Sequence, residues 1–390
     1  MQKKHLKSNI VIAGGGLVGV SFALCMPNTH ITILETHLPD LLTQSNTNSR
    51  PISLSYGSHL ILKQLGVWET LEKFACPILS VHISEMGKFG VTRFLAQEQD
   101  VKALGFVVPV ELLQNILYQN AAEQKNIKFM SIQSIENITL NKNSADIDIK
   151  THEDKIKLSA ELLVASDGTN STCRDLLNIN TTKKNSGDQA LIYDLILSEN
   201  HDFTAYERFT KLGVLAILPL FNQKTARLVW TISAIQAEKI ESWDEKKLLL
   251  FFQEVFEGRL FISHATKSAC FPLQTIIAER QITQSAVLLG NAAHTIYPVA
   301  AQGFNLGLRD AFMLSKILNC TENINDFSLL QQYEKKALEH QKIIYKITNQ
   351  LAGLFELNVP CLGKLRGLGL LGLDLITPLK NQFAERAMGL

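Results

Sequence analysis

The chain has 390 residues, 46% hydrophobic and 19% charged, with Lys+Arg 38 against Asp+Glu 37. That is ample apolar material for one large domain or two interleaved ones. A net charge of +1 gives no sign of a nucleic-acid surface, and no run of about 18 uncharged apolar residues suggests a membrane-spanning helix.

The basic start, residues 1–8, leads directly into a strand pattern with no small-residue cleavage site, so no signal peptide is expected. Six cysteines (Cys25, Cys76, Cys173, Cys270, Cys320, Cys361) are scattered and never spaced as CxxC. Free, mostly buried thiols in a reducing cytoplasm are the expectation, with no metal site.

In chain order, 9–13 reads as a buried strand, 17–26 as a helix and 31–35 as a second strand, a βαβ opening. Between the first two lies Gly14-x-Gly16-x-x-Gly19. The first glycine suits a tight turn, the second lets backbone approach a diphosphate, and the third permits close packing of helix on strand. The helix N-terminus adds unpaired N–H groups and positive dipole charge. Glu35 ends the second strand about 20 residues on, where a carboxylate can accept ribose hydroxyls.

Further along, 46–56 is polar and turn-rich, 58–66 reads as a helix ending on a glycine cap, and 112–124 as another helix. Short β-like runs fill 129–165 and lead to Asp167-Gly168-x-x-Ser171-x-x-Arg174, which by itself also reads as an Asx turn capping a helix. Longer strands over 190–197, 212–220 and 225–233 and a helix over 243–257 suggest a separate antiparallel sheet. After 285 the chain returns to strand, glycine loop (Gly290-Asn291-Ala-Ala-His294, Pro298, Gln302-Gly303-x-Asn305) and a helix over 305–318, then a helical tail.

These segments together resemble the FAD-dependent aromatic hydroxylases, and within them the ubiquinone-biosynthesis branch. The resemblance runs nearly end to end and is most specific in the three glycine-containing motifs. It implies an α/β fold: a Rossmann-like FAD-binding domain with an interleaved antiparallel-sheet substrate domain. On that pattern 1–75, 105–182 and 275–390 form the FAD-binding domain with a helical C-terminal tail, and 76–104 and 183–274 the substrate domain.

The implied FAD-binding residues are Gly14, Gly16, Gly19, Glu35, Arg50, Asp167, Gly168, Asn291, Pro298, Gly303 and Asn305. Asp167 and Gly168 fall in the motif that organises the diphosphate region and is implicated in NAD(P)H use; no second dinucleotide fingerprint is present. Most of the family has Asp where Asn291 stands, and the branch acting on methoxyphenols has Asn. Ala301 replaces a usual Gly, Asn48 a usual Asp near Arg50, and Val214 a usual Pro. Gly303 and Asn305 precede a helix whose N–H groups could face the flavin pyrimidine and steady its reduced, anionic form. Pro298 would wall the reactive ring edge, and His294 reads as a structural hydrogen-bonding group. Residues 205–220 resemble the branch's substrate sheet, and no substrate-contacting residue is assigned.

The activity implied is hydroxylation of a 2-polyprenyl-6-methoxyphenol to the benzoquinol through a flavin hydroperoxide, with O2 and NAD(P)H as co-substrates. Alternatives are a sister ring position, a flavin-dependent reductase or oxidase without oxygen transfer, and a non-catalytic flavin subunit. The apolar tail over 351–380 is expected to pack on the core. A peripheral contact with the inner membrane and membership of a ubiquinone-biosynthesis complex are the further partner expectations.

Overall fold

Strand Lys4–Ala13 lies at the centre of a computed structural model that describes residues 4–39, 50–296, 302–321, 323–356, 371–372 and 374–390. Ile10, Val11, Ile12 and Ala13 are fully buried, because a parallel strand is covered on both faces. Its parallel neighbours are Ile31–Glu35 and Lys155–Ala165. Ile127–Ser131 and Ala286–Leu288 extend the sheet at either side, also in parallel. The strands Ser134–Asn141 and Ser144–Lys150 add an antiparallel hairpin to Lys155–Ala165.

One face of this sheet carries helices Leu17–Leu24, Val110–Ala122 and Gln302–Leu318, with Phe22, Leu117 and Leu314 in a single core cluster. Ser55 starts helix Tyr56–Gln64 by accepting the N–H of Ser58 at 3.2 Å, a side-chain N-cap. Gly66 follows that helix with φ +68°, the left-handed closure expected of its position.

A second sheet has eight strands in the order 294–295, 262–278, 181–197, 225–233, 213–219, 204–210, 80–85, 91–95. Neighbours run antiparallel except Thr204–Thr210 and Ser80–Glu85, which run parallel. Leu191, Leu215, Leu228 and Trp230 point to one face, onto helices Ala234–Glu241 and Glu245–Phe256. Trp230 is fully buried, stacks on Phe251 at 5.0 Å, and donates its indole N–H to the Leu212 carbonyl at 2.8 Å. That bond satisfies the one polar atom of an otherwise apolar anchor.

A small third sheet, Pro51–Ser55, Gly105–Pro109 and Cys76–Ile78, joins the two large ones. Cys76, Ile78 and Val107 pack there against Ala205 and Leu218 of the eight-stranded sheet. The C-terminal helix Thr377–Met388 seats Phe383, Ala384 and Met388 against Phe94 and Leu104. Lys380 reinforces that seat, with Nζ 2.9 Å from Glu98 and 3.2 Å from Asp374. No helix among the described residues is long and apolar enough to cross a membrane.

The structure differs from the sequence pattern in two places. Ile262–Ala278 is a strand of 17 residues although it carries Pro272 and long polar stretches. Its register is imposed by the partner Thr181–Leu197, with one two-residue slip and two one-residue slips along the pair. The final helix of the flavin loop begins at Gln302, not 305. Of the apolar tail, 357–370 lies outside the described residues.

Trp230→Ala should destabilise the fold by about 3–5 kcal/mol through cavity formation, read as a lower denaturant midpoint. Phe221→Ala, at a side chain 66% exposed, should stay within about 0.5 kcal/mol of the parent.

Candidate functional site

The first strand ends where the chain turns at Gly14, whose φ of +94° suits only glycine. A Cβ there would fall 2.6 Å from the Ser166 carbonyl oxygen. Ser166 Oγ donates to the Gly14 carbonyl at 2.9 Å and lies 3.1 Å from that of Ala13, fastening the ends of two adjacent strands. Gly19 closes the same junction from the helix side, since a Cβ on it would lie 2.3 Å from the Gly14 carbonyl. Gly16 is different: a Cβ there meets nothing within 4 Å. It is the N-cap of Leu17–Leu24 and no side chain caps it, so the first-turn N–H groups remain for an external acceptor.

Glu35 Oε2 accepts the Gly15 N–H at 2.6 Å, and Oε1 accepts those of Thr36 at 2.8 Å and His37 at 3.0 Å. Three backbone donors therefore fix the carboxylate while lone pairs remain on it. Glu35, Gly14, Gly16, Ser166, Asp167 and Gly168 line one groove of about 410 Å³, and Ile132–Ile135 contributes another wall. The groove opens at the carboxyl ends of the parallel strands, where ligands bind in open α/β sheets.

Asp167 spends both carboxylate oxygens inside its own loop, accepting the Ser171 hydroxyl at 2.5 Å and the Cys173 N–H at 2.9 Å. It thereby shapes the loop at the groove's edge. Arg174 is buried, and its guanidinium donates to the carbonyls of Ala292 at 3.0 Å and Thr169 at 3.1 Å. Thr295 Oγ1 adds a contact with Thr169 Oγ1 at 3.1 Å. These bonds tie the two distant motifs into one unit.

In the downstream loop, Gly290 and Gly307 pack against Val18 of the first helix. A Cβ on Gly307 would lie 2.9 Å from Val18 Cγ2 and 3.1 Å from Gly290 Cα. Asn291 is exposed. Because the helix starts at Gln302, Gly303 and Asn305 sit inside its first turn and do not precede it. Asn305 donates to the Ser53 carbonyl at 3.0 Å and accepts the Ser55 N–H at 2.9 Å, tying the helix start to the small sheet. His294 is fully buried, with Nε2 2.7 Å from Asp310, and Gln341 donates to the same Asp310 oxygen at 2.8 Å.

Arg50 is exposed and its carbonyl accepts the Val110 N–H at 3.0 Å. Neither Arg50 nor Asn291 lines the groove. Pro298, with Ala301 and Asn48, lies outside the described residues. Sequence reasoning passed over Ser166, Gln133 and Val18. Ser166 and Val18 stood inside quoted motifs, but Val18's contacts, Gly290 and Gly307, and the groove position of Gln133 come from parts of the chain far away in sequence.

A family model described as FAD binding domain matches residues 7–347. The chain belongs to the FAD binding domain family. With it come the aromatic-hydroxylase fold and the class, an FAD-dependent monooxygenase. The chain is similar to 3-demethoxyubiquinol 3-hydroxylase of Escherichia coli, 27% identical over 98% of this chain and 99% of that one. It is also similar to ubiquinone hydroxylase UbiM of Neisseria meningitidis, 26% identical over 98% and 85%. Among solved structures, p-nitrophenol 4-monooxygenase PnpA from Pseudomonas putida superposes with a TM-score of 0.80 at 14% identity over 99% of both chains.

Gly16→Val and Gly19→Val should separate binding from folding. The first should leave apoprotein melting unchanged yet weaken FAD at least tenfold, about 1.4 kcal/mol, by flavin fluorescence titration. The second should lower both melting temperature and FAD binding, because its side chain has no room.

Proposed function

We propose that this protein hydroxylates a polyprenylated phenol in ubiquinone biosynthesis, converting a 2-polyprenyl-6-methoxyphenol to the benzoquinol with NAD(P)H as electron donor. The observation that carries the phenol reading is the second face of the eight-stranded sheet. Val214, Ala216, Leu218 and Val229 point away from the helices and are only half-buried, an apolar surface suited to a greasy aromatic ring.

In this reading the groove holds the adenosine half of FAD. Glu35 accepts the ribose hydroxyls, Gly14 and Gly16 with the helix N-terminus receive the diphosphate, and Ile132 and Ile135 border the base. Gly19 keeps helix and strand close, and Asp167 with Gly168 shapes the diphosphate end. Asn291, Gly303, Asn305, Pro298 and Arg50 belong to the flavin half. The groove fits such a ligand because Gly16 faces open space and the helix N-terminus is uncapped. When bound, the flavin takes electrons from the nicotinamide and activates O2 for transfer to the ring. The chain's own part is to place the ring beneath the apolar sheet and keep water from it.

A second ring position is the alternative that a specific observation favours, since 3-demethoxyubiquinol 3-hydroxylase is among the relatives. Leu375 and Ile376, just before the C-terminal helix, and Leu379 in its first turn are exposed, which supports a peripheral membrane contact for drawing a polyprenyl substrate from lipid.

Deleting the gene from its source cells and restoring it, with mass spectrometry of the quinone lipids, tests the assignment. Accumulation of the polyprenyl-methoxyphenol, cleared on restoration, is the expected outcome. Accumulation of 3-demethoxyubiquinol would move the activity to the sister position, and an unchanged quinone pool would overturn the pathway.

A further inference from the structure

We propose that Glu207 accepts the hydroxyl proton of the phenol substrate and so both selects phenols and activates their rings. The inference rests on the phenol reading above and adds the residue that meets the reacting hydroxyl.

The strand Thr204–Thr210 alternates its side chains between two unlike environments. Tyr206 and Arg208 point to the helix-covered face. Tyr206 Oη donates to the Arg259 carbonyl at 3.2 Å, while Arg208 donates to the Val255 carbonyl at 2.8 Å and pairs with Glu257 at 2.7 Å. Glu207 therefore points to the opposite face, the half-open apolar one. Across that face the strand register sets it in a row: Ile83, Glu207, Ala216, Val229, Ile192, Ala269. Every other member of the row is aliphatic. A lone carboxylate in such a row adds nothing to packing, since burying it without a partner is unfavourable.

The other charged groups that the described residues bring to this face have partners of their own: Asp188 has one, and Lys380, over the Phe94 ring in the cluster that Ile83 joins, pairs with Glu98 and Asp374. Glu85 lies on the neighbouring strand opposite Phe209 and has a partner of its own. Arg227, opposite Leu218, pairs with Asp194 at 2.6 Å. Cys76, on the small sheet packed near Ala205, has its thiol pushed up to about 12 by burial and stays neutral. None of these contributes to the state of Glu207, whose carboxyl is raised to about 7 by loss of hydration alone. Yet the side chain keeps accessible surface. Glu207 is therefore partly exposed on an otherwise aliphatic row, where a ligand laid on this face could reach its carboxylate.

The chemistry follows from that placement. A phenol of pKa about 10 loses its proton more readily to a carboxylate of raised basicity than to an ordinary one. The O–H bond breaks, the proton passes to the Glu207 carboxylate, and the electron pair stays on the phenol oxygen. From there it enriches the para carbon that the activated oxygen attacks. As the ring is hydroxylated its para C–H bond breaks and that proton leaves on the second oxygen atom of O2, as water, while the Glu207 proton returns to the phenol oxygen, so nothing beyond O2 and the electron donor is consumed.

The test uses the FAD-loaded enzyme, with 2-prenyl-6-methoxyphenol and its O-methyl ether as probes. Isothermal titration should show the wild type preferring the phenol at least tenfold over the ether, and Glu207→Gln losing that preference while holding FAD normally. In turnover, wild-type kcat/KM should rise with pH through about 7, as the carboxylate ionises; Glu207→Gln should lower kcat at least tenfold and abolish that limb. Glu207→Asp should restore part of both. Equal binding of phenol and ether by the wild type, or an unchanged pH profile in Glu207→Gln, would overturn the proposal. If the wild type hydroxylates neither probe yet shows the Glu207-dependent preference, the phenol site stands and the hydroxylase reading fails.

Discussion

The structure depends on one close approach, where the ends of strands Lys4–Ala13 and Lys155–Ala165 meet the start of helix Leu17–Leu24. Gly14, Gly19 and Ser166 occupy a junction in which any added carbon would lie well inside contact distance of backbone. That closeness keeps the helix N-terminus at the lip of the groove. A helix displaced by the width of a methyl group would aim its free N–H groups elsewhere, and the anion site would lose its geometry. The loop is thus a consequence of packing before it is a binding device.

The downstream flavin loop is held to that junction by buried polar groups. Arg174 reaches the Ala292 carbonyl, and Gly290 and Gly307 press on Val18. His294, Asp310, Gln341 and Gln281 form a chain of hydrogen bonds with almost no exposure. Two of its buried atoms, His294 Nδ1 and Asp310 Oδ1, have no hydrogen-bond partner among the described residues, and leaving them so is costly. The Arg174 bond and the glycine contacts nonetheless hold two segments nearly 300 positions apart against each other.

The eight-stranded sheet divides its labour between its faces. Trp230, Phe252 and Leu228 close one face against two helices, and that burial anchors the sheet. The other face is left half-open, and stability there is forgone in favour of a surface that a ligand can cover. Alternation along a strand makes this division inevitable: every residue that enters the anchored core alternates with one that faces the open side. Arg208 and Glu207 are adjacent in sequence and belong to different worlds, one in an ion pair and one on an apolar wall.

The βαβ opening, the phosphate loop and Glu35 were legible in the sequence because their signals are local: glycine spacing, a buried strand, an acid at a strand end. Family membership was legible for the same reason, since three motifs each span only about a dozen residues. Strand Ile262–Ala278 was not, because its register comes from a partner some 80 positions earlier. The start of the last glycine-loop helix was misplaced by one turn, since Gly303 reads as a helix breaker and only Asn305, bonded to Ser53 and Ser55, shows why the helix begins sooner. Asp167 could be read locally as a cap or as part of a cofactor site; the fold makes it the cap of a loop that lines the groove. The sequence by itself determined a dinucleotide-phosphate loop, because phosphate recognition uses backbone and needs only glycines at fixed spacing, and FAD followed from the resemblance of the later motifs. Which side chains line the open sheet face was decided by tertiary structure alone, because that face is assembled from strands whose pairing no single segment encodes.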